Sequence, residues 1–235
     1  MKKTKPEFNW DLVAGYTEDK TKKAFLEHEI FTLNCYEHVY PVREGDIVLD
    51  LGASIAPFTW KIMDKASKVY IVEPMIDLIP TIEANTRGFN VEIINAALTS
   101  DNGTMEFNDS CINEFEPKTV RTLDFKTFIK ENKIDKIDFI KTDCEGGEYD
   151  LISKANIKWI KENVRNIVGE WHLRTTKPVQ PGDPLNVEFR YFRDKFLPQF
   201  TNFEVYSVDG HSIKWDLYNQ HFLDYYGQVN LHIEV

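Results

Sequence analysis

Asp143, Glu145, Glu170 and His172 are the residues of this chain best suited to chemistry. Three carboxylates and an imidazole held together would welcome a positively charged ligand. His172, with an ordinary pKa of about 6.5, can take a hydroxyl proton at neutral pH. The same four offer oxygen and nitrogen ligands to a divalent cation. Their spacing follows no metal-binding motif, however, so a resident metal is the less favoured reading and no metal ligand is assigned. Glu148, next to Gly146 and Gly147 at a helix start, has a simpler account in the helix dipole.

Bringing residues 143 and 172 together requires strands that end side by side. Ile137–Thr142 and Val164–Trp171 read as strand runs that lead into Asp143 and His172, and the run beginning Ile47-Val48-Leu49 lacks polar alternation, as in a strand covered on both faces. Ile47–Leu51, Lys68–Glu73 and Val91–Asn95 are three more such runs, separated by helical segments at Pro57–Ala66 and Met75–Thr86. Helices are also expected at Thr17–Tyr40, Leu123–Asn132 and Tyr149–Ala155, and from Asp183-Pro184 to about Phe196. Asp101-Asn102-Gly103 and Asp209-Gly210 read as hairpin turns, the second between Phe203–Val208 and Ser212–Leu217, and Gln228–Val235 as the last strand. This alternation predicts an α/β fold with a doubly wound, mostly parallel sheet of about seven strands.

In such sheets a ligand lies beyond the carboxyl ends of the strands, which selects Asp50, Gly52, Ala53, Ser54, Glu73, Asn95, Ala96, Asp143, Glu145, Glu170 and His172. Gly52 lets the backbone turn close to a ligand, and Glu73 follows at the distance where nucleotide-binding units place the acid that grips ribose hydroxyls. A dinucleotide fingerprint has three glycines for the pyrophosphate, whereas this turn has Ser54 and Ala56 at the later positions. A ligand without phosphates, S-adenosylmethionine, suits it better. Asp50-Leu51-Gly52-Ala53-Ser54-Ile55-Ala56, Val72-Glu73-Pro74, Thr122-Leu123-Asp124 and Phe139-Ile140-Lys141-Thr142-Asp143-Cys144-Glu145-Gly146-Gly147-Glu148 resemble, in order and spacing, the motifs of FkbM-type methyltransferases, over roughly residues 44 to 172.

That resemblance implies a class I methyltransferase fold with an antiparallel final strand at or near the sheet edge, S-adenosylmethionine as cofactor, and an oxygen acceptor. It implies cofactor contacts from Asp50, Gly52, Ala53, Ser54, Glu73, Asn95, Ala96 and Asp143, and catalytic work at His172, Asp143, Glu145 and Glu170. It also implies that residues 1–45 form a helical segment packed over the cofactor edge of a domain spanning 46–235. The family usually has a glycine at position 56. Here Pro57 is expected to start a helix and hold Ala56 extended. The competing readings are a noncatalytic module that keeps the fold and, third, a nicotinamide dehydrogenase.

Composition narrows the partners. A net charge of −10 works against nonspecific nucleic-acid binding, and a small-molecule or glycan acceptor fits better. No apolar stretch approaches the roughly 18 residues of a membrane span and no signal peptide is evident, so a cytoplasmic protein is expected. Cys35, Cys111 and Cys144 are scattered, as free thiols would be, and Cys144 reads as a small hydrophobe. The aromatic group Trp215, Tyr218, His221, Phe222, Tyr225 and Tyr226 is expected mainly to pack in the core.

Overall fold

The five apolar runs become five parallel neighbours, because each has residues to bury on both faces of one sheet. The computed structural model describes residues 3–10, 20–107, 118–174, 186–219 and 226–235. In chain order come α1 (Lys20–Glu27), a π-helical turn at His28–Thr32, β1 (Ile47–Leu51), α2 (Pro57–Ile62), β2 (Lys68–Val72), α3 (Ile79–Thr86) and β3 (Val91–Ile94). Next are β4 (Ala97–Thr99), β5 (Gly103–Phe107), β6 (Lys118–Asp124), α4 (Phe125–Glu131), β7 (Ile137–Thr142), α5 (Glu148–Leu151) and α6 (Ile157–Asn163). The chain closes with β8 (Val164–His172), α7 (Val187–Lys195), β9 (Asn202–Tyr206) and β10 (Gln228–Glu234).

The main sheet has seven strands in the order β3-β2-β1-β7-β8-β10-β9. The first five are parallel, and β10 runs antiparallel between β8 and β9, one place in from the edge. Successive residues feed opposite faces: Leu49, Ile140 and Ile167 join the core cluster under α4 to α7, while Val48, Phe139 and Val168 join the cluster with Ile30, Tyr36 and Phe58. By the same parity Asp50, Lys141, Asp143, Glu170 and His172 belong to the face covered by the N-terminal segment. Among the described residues no helix is long and apolar enough to cross a membrane.

Several local expectations change. The segment expected as one helix from Thr17 to Tyr40 is α1 plus the π turn, ended by Asn34 at φ +55°, a conformation asparagine tolerates; residues 17–19 lie outside the described set. The chain around Asp101-Asn102-Gly103 is no hairpin. β4 and β5 do not pair with each other, because β6 lies between them in a second, three-stranded sheet. β6 runs to Asp124, whose carboxylate accepts the Thr127 amide at 2.8 Å and so caps α4 two residues later than the expected helix start. Ser212–Leu217 is not a strand: Ser212 bridges back to Tyr206, and Lys214–Tyr218 is a 3-10 helix that turns Leu217 into the core. α5 is shorter than expected and α6 is an additional helix. The expected helix start at Asp183-Pro184 and Cys111 lie outside the described residues.

One buried group makes stability pH-dependent. His232 on β10 is fully buried against the His38 and Tyr206 rings, and burial, with the nearby His38, pulls its pKa down to about 3. The unfolded chain protonates this histidine near pH 6.5 while the native state stays neutral until about 3. The His232 contribution should therefore be constant above pH 6.5 and lower stability as pH drops toward 3, by up to about 1.4 kcal/mol per pH unit. Urea unfolding of wild type and His232→Phe between pH 4 and 8 checks this. The variant should lose part of the acid sensitivity, and parallel curves would exclude His232 as its source.

Candidate active site

β1 and β7 are neighbours, yet β1 leads to β2 on one side and β7 to β8 on the other, so the loops beyond their carboxyl ends diverge and leave a crevice. The turn after β1 is unusual. Gly52, Ser54 and Ala56 all have left-handed backbones, at φ +69°, +52° and +63°. A Cβ on Gly52 would lie 1.8 Å from the Asp143 carbonyl oxygen, so only glycine lets the two loops meet. Pro57 does start α2, but Ala56 is not extended: at φ +63° and ψ +43° it donates its amide to Ala53 O and accepts from Trp60. Complete burial holds it there against an intrinsic cost of about 1–2 kcal/mol, which explains why glycine suits this position.

Glu73 clamps that turn. Its Oε2 accepts the Ser54 amide and its Oε1 the Met75 amide, both at 2.9 Å, so one buried carboxylate joins the loops after β1 and β2. The Asn95 side chain donates to the carbonyls of Glu73 and Pro74 at 2.9 Å, which fixes the same loop from the β3 side. Ala53 and Ala96 are buried packing residues of these loops. Asp50 is wholly buried and supports the turn from beneath: Thr59 donates to its Oδ2 at 2.6 Å and Lys141 lies 3.4 Å from its Oδ1.

Lys141 was not singled out from sequence, although Asp50 and Lys141 are direct partners in the β1–β7 register. Its ammonium donates to the Gly52 carbonyl at 2.7 Å and lies 3.8 Å from Asp143. Burial alone would pull its pKa down, but Asp50 and Asp143 more than offset this and keep it charged.

The acidic ring expected from the strand ends does assemble. His172 Nδ1 lies 3.2 Å from Glu148 Oε1, and Nε2 lies 3.2 Å from Glu170 and 3.6 Å from Glu145. The Tyr149 hydroxyl donates to the His172 carbonyl at 2.6 Å. Burial opposes a charged imidazole, but hydrogen bonds to Glu148 and Glu170 reverse that and push its pKa up to about 11. With that proton in place the imidazole has no lone pair with which to serve as the general base expected of it. Glu148 is more than a helix-dipole acid, being fully buried with its carboxylate also accepting the Cys144 amide at 2.8 Å. Cys144 packs against the core, and burial pushes its thiol up to about 12, as suits an inert side chain.

Two residues from the N-terminal segment complete the ring and were missed. The Tyr36 hydroxyl donates to Asp143 at 3.0 Å. Glu29, in the π-helical turn, is buried, and burial together with Glu170 and Asp143 pushes its carboxyl up to about 8. A buried acid on an otherwise amphipathic stretch was the available signal. The expected core role of the C-terminal aromatics fails for Trp215 and Tyr218, which are 89% and 59% exposed; His221, Phe222 and Tyr225 lie outside the described residues.

No protein in a comparison with curated proteins matches this chain. Among solved structures it is similar to the methyltransferase FkbM from Methylobacillus flagellatus KT, at 15% identity and a TM-score of 0.48, over 84% of this chain and 45% of that one. It thus spans about half the length of that relative. It is also similar to an rRNA methylase from Streptococcus thermophilus (9% identity, TM-score 0.47, 88% and 92% of the two chains). A third is precorrin-6y C5,15-methyltransferase from Geobacter metallireducens GS-15 (12%, 0.42, 89% and 87%). The strand order with its antiparallel insertion is that of class I methyltransferases, and the family model of the methyltransferase FkbM domain matches residues 46–204. The chain belongs to the FkbM methyltransferase family.

Proposed function

We propose that this protein transfers a methyl group from S-adenosylmethionine to an oxygen acceptor, a hydroxyl of a sugar, glycan or small metabolite. The observation that carries the reading is the left-handed turn after β1, clamped by Glu73 at the mouth of the switch-point crevice. The cofactor supplies an electrophilic methyl group on a sulfonium cation. Glu73 would accept from a ribose diol beside the two amides it already holds, since an ionised carboxylate has acceptor sites for about four donors. The acidic ring of Asp143, Glu145 and Glu170 favours positive charge near the reacting centre. His172, already protonated, holds Glu148 and Glu170 in place, so the hydroxyl proton goes to a carboxylate of the ring, of which Glu145 is the exposed rim member. The noncatalytic alternative draws on Ala56 standing where the family usually has glycine; its complete burial beneath the turn favours the catalytic reading.

S-adenosylmethionine or its demethylated product should raise the melting temperature, and NAD should not. Glu73→Ala should weaken product binding by about 1.5–3 kcal/mol, roughly 10- to 150-fold, in calorimetry. Because that change also frees two backbone amides, circular dichroism must show a folded variant. A thermal shift with NAD alone, or unchanged product affinity in the folded variant, would overturn the reading.

A further inference from the structure

We propose that Asp143, Glu170 and His172 form a binding site for a divalent cation. One ligand atom from each lies within 4.8 Å of the others, close enough to share one ion, and all three sit at the carboxyl ends of adjacent strands. The surroundings are those of a supported ligand set. Buried Glu148, anchored by the Cys144 amide, faces Nδ1 of His172 at 3.2 Å and makes Nδ1 the donor, so an ion at Nε2 takes the place of the proton held there in the ion-free ring and releases it to solvent. A carboxylate behind a ligating histidine orients the ring and raises its basicity. Tyr36 donates to Asp143 at 3.0 Å and Tyr149 to the His172 carbonyl at 2.6 Å, fixing two more members.

A second observation points to a ligand. Glu148 Oε2 is a buried oxygen with no hydrogen-bond partner, on a residue that is 0% exposed. Glu148 touches His172, one of the three proposed ligands. Buried carboxylate oxygens without a donor are costly unless a cation lies near them. Two carboxylates with one imidazole suit an oxygen-preferring ion such as Mn2+ or Mg2+, with other positions left to water or an acceptor oxygen. On the methyl-transfer reading, on which this role rests, such an ion would bind the acceptor hydroxyl and make its proton easier to lose.

Mn2+ uptake by the chelator-treated full chain, followed as loss of the free-ion paramagnetic resonance signal, tests the site without any assay of activity. One ion per chain should bind at submillimolar concentration, and Mg2+ should compete. Asp143→Asn and Glu170→Gln should each weaken binding more than 10-fold, and Glu148→Gln by about 10- to 100-fold. Thermal unfolding identifies folded variants, and either ligand variant suffices. No uptake by wild type at millimolar Mn2+, or unchanged affinity in a folded ligand variant, overturns the site. Displacement of Mn2+ by the demethylated cofactor also overturns it, because the ring would then hold the ammonium of the methionine end. Uptake of Mn2+ by a chain that ignores the cofactor would leave the site standing and remove the methyl-transfer reading; the reverse result would do the opposite.

Discussion

Gly52→Ala should lower stability by about 2–5 kcal/mol and abolish cofactor binding. Two costs combine. The backbone at φ +69° costs an L-residue about 1–2 kcal/mol, and the new Cβ would stand 1.8 Å from the Asp143 carbonyl oxygen and 2.8 Å from its carbon. Neither atom can yield easily, since both belong to the backbone leaving β7; overpacking of this kind adds about 1–3 kcal/mol or more. Gly45 and Gly88 provide the control. They have φ of +87° and +85° with nothing within 4 Å of a built Cβ, so alanine there carries the conformational cost alone. Urea unfolding of the three variants separates the terms. If Gly52→Ala costs no more than Gly45→Ala, the two loops do not meet as described.

Lys141→Met should destabilise by about 3–5 kcal/mol, the range for removing one partner of a buried ion pair. The lysine side chain is 5% exposed and that of Asp50 is 0%, so the change would leave a carboxylate in the core with Thr59 as its hydrogen-bond donor. The Gly52 carbonyl would also lose the ammonium that donates to it at 2.7 Å, so the turn should loosen and cofactor binding weaken together with stability. Adding Asp50→Asn to Lys141→Met should recover much of the loss, because no charge is then left buried. A double-mutant cycle measures this coupling. Additive losses would mean that the pair acts as two independent residues.

The sequence by itself determined five strands of the main sheet, their common parallel direction and the set of residues at their ends. These follow from local properties: unbroken apolar runs need two covered faces, glycine and proline mark where the chain turns, and side chains beyond strand ends meet. Gly52, Glu73, Asp143, Glu145, Glu170 and His172 were legible in this way, as was the family. Strand β6 was not, because residues 122–124 fit a helix start as well as a strand end, and only pairing with β4 and β5 decides between them. Nor was the conformation of Ala56, where burial overrides the preference imposed by Pro57. The charge of His172 was beyond the sequence too. Residues 148 and 170 lie 24 and 2 positions away in the chain, and an imidazole becomes an imidazolium here because folding places both carboxylates against it while excluding water. Glu29 and Lys141 entered the site for the same reason: a titratable group takes its properties from neighbours in space, and those neighbours exist only once the sheet and the N-terminal segment have packed together.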